Sequence, residues 1–135
     1  MSVKKRIEVS HLRAIVRKAV LAARKDGREV LGLIVDNGFC LELVECRNKA
    51  REGGSFCFYA NEVRAIVKGA ERVCHEVVGT FHSHPVSPAI PGEADLDSAV
   101  DDSLMLIIDC TRRKSRLWHI RDKRVRELRL SEFRL

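Results

Sequence analysis

The sequence predicts an α+β fold, a mostly antiparallel central sheet sandwiched by two or three helices. Three observations carry this. Apolar residues recur at helical spacing from Ser10 to Arg24 and again from Asn61 to Cys74. Short runs rich in Val, Ile, Leu and Phe, bounded by Gly, Asn and Asp, lie between and after these segments. The chain has 135 residues, 45% of them hydrophobic, which is enough to bury one core. One domain spanning 1–135 is therefore expected, and disorder is not. Aromatics are only 5%, so aliphatic side chains must do most of the packing.

The elements follow in order. Ser10 can cap a first helix in which Leu12, Ile15, Val16, Ala19, Val20 and Ala23 share a face. Arg24 and Lys25 suit its negative end, and Gly27 can take the left-handed stop. Asn37-Gly38 is a two-residue hairpin signal joining strands at about 30–36 and 39–46. "RNKAREGGS" (47–55) reads as a loop and "FCFY" (56–59) as a short strand. Val63, Ile66, Val67, Ala70 and Cys74 mark one face of a second helix. "EVVGTFHSH" is a strand ending at Pro85, which lacks an amide hydrogen. "GEADLDSAV" is a short helix with an acidic first turn, as the helix dipole prefers. "LMLIIDC" is a buried strand, and "RLWHIR" and "RVRELRL" form a closing hairpin about Asp122-Lys123.

The formal charge is +6, with basic clusters at Lys4-Lys5-Arg6, Arg112-Arg113-Lys114 and from Arg121 to Arg129. Such faces are solvated, or attract nucleic acid or an acidic protein. No aromatic residues interleave them as stacking platforms, which counts against nucleic acid. Five cysteines without a C-x-x-C pair read as packing residues in a reducing, cytoplasmic setting. No apolar run approaches the ~20 residues that span a bilayer. Arg17 and Lys18 interrupt the first apolar segment, so no signal peptide is expected.

The stretch "GTFHSHPVSPAIPGEADLDSA" (79–99) carries the chemistry. In a strand, residues i and i+2 face one side, so His82 and His84 project together and Ser83 points away. Two imidazoles on one face can grip one zinc ion. Pro85, Pro88 and Pro91 stiffen the following loop and fix the place of Glu93-Ala94-Asp95. A carboxylate from there can return as third ligand, leaving a fourth position open, the pattern of catalytic rather than structural zinc. A general base is also required, and periodicity does not locate it.

"HSHPVSPAIPGEAD" resembles the H-[ST]-H-P-x6-S-x2-D signature of the JAMM (MPN+) zinc metalloproteases. The resemblance implies the JAMM/MPN α/β sandwich, which is similar to that of cytidine deaminases. It implies one zinc per chain, held by His82, His84 and Asp95. It implies Glu29, just before "VLGLIV", as the general base. Its implied activity is hydrolysis of a peptide or isopeptide bond at the C-terminal tail of a ubiquitin-like or sulfur-carrier protein. One position departs: Gly92 stands where the family has a serine that supports the oxyanion or the water. Ser83, Ser87 or the Gly92 amide are the candidate replacements. Loss of one such donor costs about 10²–10³ in rate. Two other readings stay open: a weakly active or inactive MPN-type scaffold, favoured by Gly92, and a RadC-like nucleic-acid-associated protein, favoured by the charge. Glu93 and Asp97 are fallback ligands. His11, His75 and His119 have no motif partners, and Trp118 reads as a core or partial surface anchor.

Overall fold

The computed structural model describes residues 6–50 and 56–130. Lys4-Lys5 and the 51–55 part of the expected loop lie outside them. The elements run α1 (Val9–Asp26), β1 (Leu31–Asp36), β2 (Leu41–Cys46), α2 (Ala60–Arg72), β3 (Glu76–His84), α3 (Glu93–Asp97), β4 (Ser103–Asp109), β5 (Lys114–Arg121) and β6 (Arg124–Leu128). The six strands form one sheet in the order β2-β1-β3-β4-β5-β6. Every neighbouring pair is antiparallel except β3–β4. That parallel pair exists because the chain leaves β3 through the proline loop and α3 before returning, a crossover no tight hairpin can make. The α+β fold with a mostly antiparallel sheet is as the sequence predicts.

Four local expectations are corrected. The first helix is capped by Glu8, whose carboxylate accepts from the Ser10 amide and hydroxyl. The chain just before it is held against β2 by the Ile7–Leu41 bridge, and this sets the entry point two residues earlier than Ser10. The β1–β2 turn is centred one residue later than Asn37-Gly38. The Asn37 amide donates to the Cys40 carbonyl, and the Asn37 side chain accepts from the Phe39 and Cys40 amides. Gly38 alone takes a positive φ there, at 95°. "FCFY" is not a strand, because its rings turn to other work: Phe56 stacks on His82 and meets Phe58 edge-on. Cys74 lies past the end of α2 with φ 58° and is exposed, and Cys57 is exposed too, so neither packs the core. Gly27, in contrast, does stop α1 in the left-handed region at φ 69°. Asp122 and Lys123 both take positive φ in the last hairpin, as a mirror-image type I turn requires.

The sheet divides the interior in two. On one face Ile15, Ala19 and Val20 of α1 join Ile34, Leu43, Phe81, Leu104, Leu106, Ile108 and Leu117 in the main core. On the other face Ala89, Met105, Ile107 and Ile120 form a smaller cluster, with Leu96, Ala99 and Trp118 against it. Gly32 has no side chain because Phe81 needs the space: a β-carbon there would collide with its ring and with the Val44 carbonyl. No helix among the described residues is long and apolar enough to cross a membrane.

Candidate metal centre

β3 alternates across the sheet, and its last four residues show the consequence. Phe81 and Ser83 are fully buried, with Phe81 in the α1-side core, while His82 and His84 turn to the face that carries α3. His82 is 1% exposed. Pro85 ends the ladder, and the loop to α3 is then tied at several points. The Pro88 carbonyl bonds His84 Nδ1 at 2.7 Å, and the Ala89 carbonyl accepts from Trp118 Nε1 at 2.9 Å. Asp95, in the first turn of α3, is brought back over the strand and held by the Gly92 amide, 2.8 Å from Oδ2.

Three side chains converge. His82 Nε2 and His84 Nε2 are 3.2 Å apart, Asp95 Oδ1 is 3.2 Å from the first and Asp95 Oδ2 is 3.3 Å from the second. Bonds of 2.0–2.1 Å to a tetrahedral zinc imply ligand–ligand edges of about 3.3–3.4 Å, close to these separations, and one ligand atom from each side chain lies within 4.8 Å of the other two. The protonation pattern agrees. Pro88 offers only an acceptor, so His84 Nδ1 carries the hydrogen and its Nε2 lone pair faces the triangle. Fixing a ligating histidine through its other nitrogen is the usual device of metal sites. Two nitrogen lone pairs and a carboxylate so close would repel one another, so either a cation or protons on the imidazoles must lie between them. Burial works to raise the Asp95 pKa, but hydrogen bonds from His82 and His84 outweigh it and hold the carboxyl far below its usual range. Burial likewise opposes the charged form of His84, yet Asp95 and the Pro88 carbonyl raise its pKa. The triangle thus favours positive charge at its centre.

Glu29 reaches the same face by register. Leu31 pairs with His82, and Ser83 donates its amide to the Val30 carbonyl at 2.9 Å, so continuing the ladder sets Glu29 across from His84. The carboxyl is buried at 6% exposure, and its Oε1 has no hydrogen-bond partner among the described residues. Burial pushes its pKa up to about 7, partly offset by the charge of His84 and reinforced by Asp95. Asn48 steadies the Glu29 carbonyl at 3.0 Å. A cleft of about 430 Å³ opens beside Glu29, with Arg28, Arg47 and Glu62 among its walls.

The structure therefore brings His82, His84 and Asp95 together and sets Glu29 on their face. It does not bring Ser83 there: its hydroxyl is fully buried on the opposite side and accepts from the Val30 amide at 2.8 Å. Ser83 positions the residue after Glu29 instead. The Gly92 amide is spent on Asp95, and Glu93 and Asp97 are exposed and outside the triangle. His119 is buried and bonded to Asp102 at 2.8 Å, while His11 is exposed. Sequence reasoning missed Phe56, whose ring stacks on His82 with centroids 4.5 Å apart. The run of aromatics in "FCFY" was its only signal.

Residues 8–121 match the family model described as prokaryotic homologs of the JAB domain. No curated protein matches the sequence. Solved structures do resemble it. A solution structure of a Desulfitobacterium hafniense protein aligns with TM-score 0.72 at 21% identity, covering 90% of this chain and 88% of that one. A JAB1/MPN domain protein from Archaeoglobus fulgidus aligns with TM-score 0.57 at 17% identity, covering 97% and 96%. A structure described as a JAMM, metalloprotease-like zinc site in the proteasome and signalosome aligns with TM-score 0.51 at 17% identity, covering 97% of each chain. At these identities the likeness is one of fold.

Proposed function

Because the chain belongs to the family of prokaryotic homologs of the JAB domain, we propose that it is a zinc-dependent peptidase or isopeptidase. The observation that carries this reading is the triangle of His82, His84 and Asp95 with the buried Glu29 set across from His84. Zinc at this triangle supplies Lewis-acid polarisation of a carbonyl and lowers the pKa of water to about 7. The protein's own part is positional and protonic. His84 is locked in one tautomer by Pro88, and Asp95 is aimed by the Gly92 amide. Glu29 takes a proton from the attacking water and gives it to the departing amine. Phe56 shields the His82 ring on one side. The substrate in this reading is the flexible C-terminal tail of a ubiquitin-like or sulfur-carrier protein.

The test is a cleavage screen of ubiquitin-like and sulfur-carrier proteins extended at their C-termini, with wild type and Glu29→Gln. Cleavage that depends on Glu29 supports the proposal. Metal-replete protein that cleaves none of them favours the second reading, a scaffold of the same fold. Gly92 is the observation behind that second reading, since it brings no hydroxyl and its amide is occupied. Gly92→Ser separates the two, because a β-carbon there meets only Asp95 Oδ2, at an ordinary 3.6 Å. A rate gain approaching 10²–10³ marks an enzyme short of one donor, and no gain with no basal cleavage marks the scaffold.

A further inference from the structure

A second cleft, of about 500 Å³, lies beside the site on the proline-loop side, away from the walls that Glu29 shares. Pro88 and Ala89 bound it on one side, and Asp109, Arg112, Lys114 and Arg116 on the other. The first wall is fixed, because Pro88 and Ala89 use their carbonyls to hold His84 and Trp118. Pro88 is therefore one hydrogen bond from a ligand of the triangle. The second wall is basic, and its charge is unequally committed. Asp109 is buried and spends its carboxylate on the Thr111 and Arg112 amides and on Arg112 Nη1 at 2.9 Å. Arg112 stays 60% exposed at its side chain, and among the described residues its ion pair engages Nη1 alone of its five N–H donors. Arg116 is engaged twice by Glu127, at 2.8 and 2.6 Å. Lys114, and Arg113 beside it on the turn, make no ion pair among the described residues.

We propose that this cleft docks an acidic segment of the polypeptide substrate, a few residues from the bond to be cut. The proposal rests on the peptidase reading and adds the chemical class of the partner. An uncommitted ammonium and a half-used guanidinium facing a rigid apolar wall match a carboxylate on an extended chain. The position matters as much as the charge, because Pro88, which walls the cleft, is hydrogen-bonded to the triangle residue His84. Single-stranded nucleic acid is disfavoured, because stacking platforms are missing. Trp118, the aromatic at this edge, is half-buried, tied through Nε1 to Ala89 and covered by the Arg116 guanidinium 5.1 Å from its ring.

The experiment is fluorescence anisotropy with three labelled peptides of equal length, rich in Glu, Gln or Lys, and with a single-stranded oligonucleotide. Wild type, Glu29→Gln and Lys114→Glu combined with Arg113→Glu are compared. Arg113 lies on the turn and Lys114 opens β5; both are exposed, and circular dichroism with zinc content checks that the reversed variant is intact. The expected result is preferential binding of the Glu peptide by wild type, weakened about tenfold by the double reversal. Glu29→Gln keeps that binding, so loss of hydrolysis and loss of docking are read separately. Equal binding of the Gln peptide, binding of the Glu peptide that survives charge reversal, or tighter and reversal-sensitive binding of the oligonucleotide overturns the proposal.

Discussion

The two faces of β3 are built from adjacent residues and obey different rules. Phe81 and Ser83 face α1, where the ring is enclosed by aliphatic side chains and the hydroxyl is bonded to Val30. His82 and His84 face α3, where three ligand atoms crowd together and a buried carboxyl oxygen has no partner among the described residues. One face is apolar with its hydroxyl bonded, and the other keeps polar groups without partners among the described residues in a buried place. Such groups cost stability unless a ligand completes them. The contrast teaches that a single strand can carry core and chemistry at once, because its side chains alternate with a period of two.

Substitutions on the two faces should separate activity from stability. Glu29→Gln is expected to lower hydrolysis by about 10²–10⁴ while leaving the metal content unchanged, as measured by single-turnover cleavage and metal analysis. A fully active Glu29→Gln would end the assignment of a base to this face. On the α1 face, Phe81→Ala is expected to cost about 3–5 kcal/mol in urea unfolding, with the triangle still able to bind metal in the folded fraction. Ser83→Ala sharpens the comparison, since Ser83 lies on the core face yet supports the other. It strands the buried Val30 amide, at about 1–3 kcal/mol, and it should also slow catalysis by loosening Glu29. A loss of stability with no loss of rate would confine Ser83 to packing.

The smallest effect is in pH dependence. The folded-state pKa of Glu29 is raised from 4.5 to about 7 by burial. Its contribution to the stability of metal-free protein is therefore fully present below about 4.5 and is lost as pH rises through 7. Metal-free Glu29→Gln should gain stability relative to metal-free wild type over that window, in paired thermal melts. A constant difference between the two proteins across the window would contradict the buried, proton-holding carboxyl.

Much of this was legible beforehand, for physical reasons. The alternation in "EVVGTFHSH" sets His82 and His84 on one side, Pro85 ends the strand, and the acidic start of "GEADLD" marks where α3 begins. Asp122-Lys123 announced its turn because both residues lie between apolar strands at hairpin spacing. The rest depends on register and long-range contact, which leave no local pattern. Nothing near Ser83 in the sequence says that its hydroxyl will meet the amide of Val30, 53 positions earlier. Nothing in "FCFY" says that Phe56 will leave the sheet and lie on His82. Glu8 displaced Ser10 as the helix cap only because Ile7 bridges to Leu41.

Metal stoichiometry tests the central claim most directly. Purified wild type and Glu29→Gln should each hold one zinc per chain, and His82→Ala, His84→Ala and Asp95→Ala should each lose it while remaining folded by circular dichroism. Zinc retained in all three alanine variants, or missing from folded wild type supplied with the ion, would contradict the convergence of those three side chains on one cation.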